Sequence, residues 1–312
     1  FFLMLGNIVI GLSVLAPAGM LSQLADGLHV GIHDAGLLVT WGAVVLCVGS
    51  PLMAWLTTRM DRRLLLVGTL IVVAVAQGAS ALASSYGAVL ALRLAMLAIA
   101  AIYTPQAAAT VGLIVPEARR PSAIAFVFLG WSLAVAGGLP LITFLSPHFG
   151  WRAGVVVLGA VAAVIAVLIF ATLPRGLVGK PLSLASFATI ARNKRLTTIL
   201  TVTMLQISGQ LTVFVYLAPL LRRLIGADNL TVEGFFALFG VAALVGNVVA
   251  TAIVTALGTE VTLALFLAAT TLGLAVWTIG ASVFAGAAVA IGYVDPAPAA
   301  AEATSSFPVE NS

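Results

Sequence analysis

Apolar residues in this chain come in blocks of roughly 20, the length that crosses a bilayer as a helix, separated by short polar turns. They do not follow the period-2 alternation of strands or the one-sided stripe of amphipathic helices. The clearest case is the block at residues 36–58, which stops at Arg59, Asp61, Arg62 and Arg63 and is followed at once by a second apolar block. Two spanning helices joined by a tight basic turn are the direct expectation. In chain order, span 1 occupies residues 1–22, and Asp26, His29, His33 and Asp34 form a polar loop, with Asp34 as the N-cap of span 2. Spans 2 and 3 flank the basic turn, span 4 covers residues 87–111, span 5 residues 122–145, and span 6 ends at Leu173-Pro174-Arg175. After a basic connection come span 7 at residues 196–217 and span 8 at residues 234–257. The apolar stretch 261–292 has 32 residues, too long for one untilted span, and predicts a ninth span with the start of a tenth. The expected fold is an all-α polytopic membrane protein of about nine spans and a partial tenth. Its parts are a six-helix bundle at 1–175, a cytoplasmic linker at 176–195, an incomplete second bundle at 196–293 and a polar, disordered tail at 294–312.

Composition excludes a soluble globular chain. Hydrophobic residues make up 62% and charged residues 8% of the 312, with a mean hydropathy of +1.20, more apolar surface than such a chain could bury. The net charge of +4 does not indicate nucleic acid, because the basic residues sit in loops between spans. With the N-terminus in the cytoplasm, inside loops hold Arg59, Arg62, Arg63, Arg119, Arg120, Arg175, Lys180, Arg192, Lys194 and Arg195, against Arg152, Arg222 and Arg223 outside. Ten against three sets the orientation by the positive-inside rule. Cys47 is the only cysteine, so no intrachain disulfide forms. His29 and His33 beside Asp34 are too few for a metal site. There is no phosphate loop, no zinc spacing and no histidine within a span, so no enzyme, cofactor or metal is expected.

Several motifs carry a resemblance. Around the basic turn, Ala54, Leu56, Thr57, Arg59, Arg62 and Arg63 fit the pattern G-x-L-A-D-R-x-G-R-R, with Thr58 at the acid and Asp61 at the second glycine. This resembles the loop between spans 2 and 3 of the major facilitator superfamily. Gly49-Ser50-Pro51-Leu52 is similar to its drug and sugar efflux branch, the arabinose-efflux-like permeases. Residues 130–140, with Gly130, Gly138 and Pro140, resemble the antiporter motif, in which glycines let helices approach and proline bends the span. Gly150-Trp151-Arg152 and Tyr216-Leu217-Ala218-Pro219 also fit. The span 4 motif keeps Arg93 but has Met96 and Leu97 where glutamine and glycine stand in the family. The glycine runs Gly36, Gly42, Gly49 and Gly234, Gly240, Gly246 echo each other as two repeats would. The resemblance implies an efflux permease of two bundles, moving a small organic solute by alternating access with protons as the coupling ion. It further implies a monomer in the bacterial inner membrane, apparently truncated, since the family has twelve spans. The alternatives are a transport-inactive relative serving as membrane sensor or scaffold, and a non-functional truncated product.

The candidate chemistry is sparse. Many such permeases carry a glutamate in span 1; its place here is Val14, on one helical face with Asn7 and Gly11, and no Asp or Glu stands within any span. Arg93 is the one charge at membrane depth, facing either a watery cavity or the interface by snorkelling. Thr104, eleven residues on, falls on the same helical face. Thr203, Gln206 and Gln210 form a polar stripe on span 7. The candidate cavity residues are therefore Asn7, Arg93, Thr104, Gln206 and Gln210, with Tyr103, Gln106 and Trp131 as secondary candidates. Arg59, Arg62, Arg63, Gly130, Gly138 and Pro140 are the candidate gating residues.

Overall fold

The computed structural model describes residues 1–178, 194–242, 245, 246, 249, 253, 257, 261 and 264–273. The chain divides into two compact units. One comprises Phe1–Arg222 and Ala227–Val249; the other comprises Arg223–Gly226 and Ala250–Ser312, whose described residues include the apolar helix Ala264–Gly273.

In the first unit the helices are α1 (Phe2–Gly19), α2 (Leu21–Leu28), α3 (Ile32–Leu56), α4 (Arg62–Leu82), α5 (Tyr86–Ala100), α6 (Tyr103–Ile114), α7 (Arg120–Leu133), α8 (Leu139–Phe149), α9 (Trp151–Thr172) and α10 (Lys194–Val215). Helix α11 (Leu217–Ile225) follows, and an apolar helix at Asn229–Ala242. Among the described residues six stretches are long and apolar enough to cross a membrane. They are α1, α3, α4, α5 with α6 (Tyr86–Ile114), the run Ser122–Phe149, and α9. They match spans 1 to 6. Helix α10 stands where span 7 is expected, and Asn229–Ala242 at the start of span 8. Most of the linker, parts of spans 8 to 10 and the tail at 294–312 lie outside the described residues.

Helix α1 is the hub. It packs on α3, α4, α6, α7, α8 and α9, and 78% of its span is buried against 17% for α3. Helix α3 instead exposes Trp41, Val44, Val48, Leu52 and Trp55, an apolar face suited to hydrocarbon. Close approach to α1 depends on glycine. A Cβ on Gly130 would lie 2.5 Å from the Met4 main-chain oxygen, so no larger residue fits between α7 and α1 without a backbone shift.

Prolines explain where the spans depart from plain α-helix. A proline inside a helix lacks the N–H that would bond the carbonyl four residues earlier. Pro105 stands four residues after Ala101, where the helix of span 4 is interrupted between α5 and α6. Pro140 stands four residues after Ala136, inside the π-helical turn Ala134–Gly138, in which the Leu139 N–H bonds the Ala134 oxygen. Before Pro140 the span thus changes helix type locally. Asp34 is not the N-cap of span 2. The helix starts three residues earlier, Gly31 occupies the cap in an extended conformation, and Asp34 lies in the first turn beside the His33 Nδ1, 3.2 Å away.

Candidate functional site

The basic turn forms a clamp at one end of the bundle. Asp61 caps α4, its Oδ1 accepting from the N–H groups of Arg63 at 2.8 Å and Leu64 at 3.3 Å, while its Oδ2 accepts from the Gly176 N–H beyond α9. Slight burial pushes the Asp61 carboxyl up, but the N–H groups of Gly176, Leu64 and Arg63 outweigh it and hold its pKa below the ordinary 3.8. Arg62 donates from Nη1 to Gln106 Oε1 on α6, and its main-chain N–H bonds the Leu177 oxygen at 2.8 Å. The Arg63 guanidinium lies 4.1 Å from the Phe170 ring centroid on α9, a cation–π contact. Arg59 is exposed. The residues of the turn motif therefore tie α4 to α6 and α9. Asp61, a departure from the motif, is the hinge of that clamp.

Deeper in the bundle, Arg93 of α5 turns inward and not to the interface. Its side chain is 7% exposed. Nε donates to the Leu38 oxygen of α3 at 2.8 Å, Nη1 to the Ser13 oxygen at 3.0 Å and Nη2 to the Val14 oxygen at 2.7 Å, both on α1. Local sequence accounts for these acceptors. Pro17 has no N–H to offer Ser13, so that carbonyl is free to receive the arginine. On α3, a Cβ at Gly42 would stand 2.6 Å from Leu97, so the missing side chain lets α5, which carries Arg93, pack close to α3. Burying a cation without a carboxylate costs several kcal/mol, and three hydrogen bonds from a charged group, at about 1.5–3 kcal/mol each, offset much of that.

Arg93 also lines a cavity of about 30 Å³ with Ser13, Gln77, Ser80, Met96 and Trp151, room for about two waters. Pockets that take organic ligands are about 300–1,000 Å³, so this cavity is not a solute chamber. Gln77 Nε2 bonds Ser13 Oγ at 3.3 Å. The Trp151 indole N–H is buried without a partner.

A second polar layer joins α1, α6 and α7. Asn7 is fully buried; its Nδ2 donates to the Val127 oxygen at 2.9 Å, and its Oδ1 accepts from Thr104 Oγ1 at 2.6 Å. Ala101 and Ile102, between α5 and α6, keep right-handed helical backbone angles, and both polar side chains of the span reach α1, Arg93 at Ser13 and Val14 and half-buried Thr104 at Asn7. Of the secondary candidates, Tyr103 is buried with its hydroxyl 3.4 Å from the Leu3 oxygen, Gln106 receives Arg62, and Trp131 packs on Gly11. Gly138 meets Leu12 of α1, and Gly240 of the helix Asn229–Ala242 meets Ala136 in the π turn. The side chains of Thr203, Gln206 and Gln210 lie outside the described residues; the backbone of all three is in α10. Sequence reading missed Ser13, Gln77 and Trp151 at the cavity. A proline in mid-span with an arginine three spans on was the available signal.

A family model of the Major Facilitator Superfamily matches residues 3–308. The chain belongs to the major facilitator superfamily. This is a family of membrane transporters and not of enzymes. Similar members include the inner membrane transport protein YdhP of Escherichia coli (strain K12), 29% identical over 246 residues, covering 78% of this chain and 63% of the relative. Another is the protein of Mannheimia succiniciproducens named as a probable sugar efflux transporter, 30% identical over 232 residues, covering 74% and 58%. In structure, the chain is similar to a bacterial homologue of the human lysosomal transporter Spinster, solved inward-facing and unoccupied. That match has a TM-score of 0.65 at 17% identity, covering 81% of this chain and 62% of the other. The chain thus spans about three fifths of the length of these superfamily relatives.

Proposed function

We propose that the chain is an efflux permease that moves a small organic solute, of the sugar or drug class, out of the cell by alternating access in exchange for protons. It works as a monomer in the bacterial inner membrane with its N-terminus in the cytoplasm. Residues 1–175 form one rocking bundle, 176–195 a cytoplasmic linker, 196–293 the opposing bundle and 294–312 a tail. The observation that carries this reading is the bracing of α1: buried along most of its length, it is tied by side-chain hydrogen bonds to α4, α5, α6 and α7. A half-transporter that must rock as one piece needs such bracing.

Within this reading the solute meets Thr104, with Asn7 behind it, from the first bundle, and Gln206 and Gln210 from the second. Arg93 serves the cavity by fixing its wall. Arg59, Arg62 and Arg63 hold the inner gate, and Gly130, Gly138 and Pro140 set the approach of span 5 to α1. One observation favours a second reading. No Asp or Glu occurs in the six spanning stretches except Asp34 in the first turn of α3, and a proton carrier is ordinarily an intramembrane acid; a transport-inactive membrane sensor would dispense with it. Uptake into everted vesicles with and without a pH gradient distinguishes the two.

A further inference from the structure

We propose that the cavity beside Arg93 binds one small inorganic anion, chloride in the cell, as the counter-ion of the buried guanidinium. Arg93 is buried within a stretch long and apolar enough to cross a membrane, and among the described residues no carboxylate lies within ion-pair distance of it. None of the residues lining the cavity is acidic. Three hydrogen bonds to carbonyls satisfy three of its five N–H donors and neutralise none of its charge.

Apart from Ser13, Gln77, Ser80 and Trp151, the rest of the wall is apolar. Trp151 lines the same cavity with its ring and is 3% exposed, while its unpartnered indole Nε1 packs against Gly27 of α2, outside the lining. The amide of Gln77 gives one N–H to Ser13 Oγ and has a second to offer. Ser80 directs its hydroxyl at the Ala76 oxygen, so it does not supply negative charge. A space of about 30 Å³ bordered by one guanidinium and one amide and otherwise mostly apolar suits a monatomic anion with at most one water, and is too small for an organic acid. The anion would bridge Arg93 of α5 and the Gln77 amide of α4. This site is independent of which solute the bundle moves.

The test uses the full chain in detergent, its melting temperature followed as chloride or bromide replaces gluconate at constant ionic strength. Gluconate is too large for the cavity. The expected result is a saturating rise with chloride and bromide. Arg93→Gln abolishes the dependence, Gln77→Leu moves its midpoint to about tenfold higher anion concentration, and Arg120→Gln, at an exposed arginine outside the cavity, leaves it in place. Equal melting in chloride and gluconate overturns the proposal, leaving the cavity to water. So does an unchanged midpoint in Gln77→Leu, which decides the matter if Arg93→Gln does not fold. Transport plays no part in this readout, so its failure and that of the efflux reading are separable.

Discussion

Arg93 donates to the main-chain oxygen of Ser13 at 3.0 Å, the carbonyl that Pro17, four residues on, leaves without its helical partner. An arginine on span 4 thereby completes the hydrogen bonding of span 1. The same group bonds Val14 and Leu38, so one side chain closes a defect in α1 and fastens it to α3 and α5.

This coupling is measurable by a double-mutant cycle. Arg93→Gln alone should destabilise the folded chain by about 1–3 kcal/mol for each carbonyl left buried and unbonded. In the Pro17→Ala background the new alanine supplies an N–H to the Ser13 oxygen, so the same change should cost less, with a coupling energy of about 0.5–3 kcal/mol. Additive effects in thermal or denaturant unfolding would show that the two residues act separately.

The Asp61 clamp predicts a pH dependence of definite sign. Its pKa is lowered in the folded chain from 3.8, so its contribution is fully present above that value and is lost as pH falls through the lower, folded one. Asp61→Ala should cost about 0.5–2 kcal/mol at neutral pH, as for a lost N-cap. The difference from the parent should shrink below pH 3.8. A gap in melting temperature that persists unchanged in acid would remove the carboxylate from the account.

Two glycines should respond oppositely to the same substitution. Gly130→Ala places a methyl 2.5 Å from the Met4 oxygen and should split α7 from α1, lowering stability and yield. Gly112→Ala meets nothing within 4 Å and should be neutral or stabilising, by up to about 1 kcal/mol. Equal losses at both positions, measured by melting, would mean that helix propensity and not close approach governs them.

Much of the fold was legible in the sequence, because long apolar blocks ended by charged turns leave a backbone little choice but to span as helices. The blocks at Ile32–Leu56, Arg62–Leu82 and Trp151–Thr172 fall within a few residues of where hydropathy puts them. What hydropathy does not register is the interior of a span. Neither the break before Tyr103 nor the π turn before Leu139 changes the apolar count, and only Pro105 and Pro140 hint at them. The site was legible as residue types and not as partners. Arg93 stood out as a lone charge, yet its acceptors are main-chain oxygens, which a sequence does not display; that Thr104 meets Asn7 is a pairing between two spans, set by packing.

Orientation follows from the loop charges and has a direct test. With Cys47, which is exposed, replaced, single cysteines at Glu117 and His148 should react with an impermeant maleimide from opposite faces, Glu117 from the cytoplasmic one. Labelling of both from one face would break the six-span topology of the first bundle.

The central claim is that this chain transports, and uptake decides it. Everted membrane vesicles carrying the chain are energised with an inward-acid pH gradient and offered labelled sugars and lipophilic drugs in parallel with vesicles lacking it. The account predicts accumulation of at least one solute that collapses when a protonophore is added and falls severalfold in Thr104→Ala. Uptake no greater than in the empty vesicles across that panel, from chain shown to be folded and inserted, would contradict it.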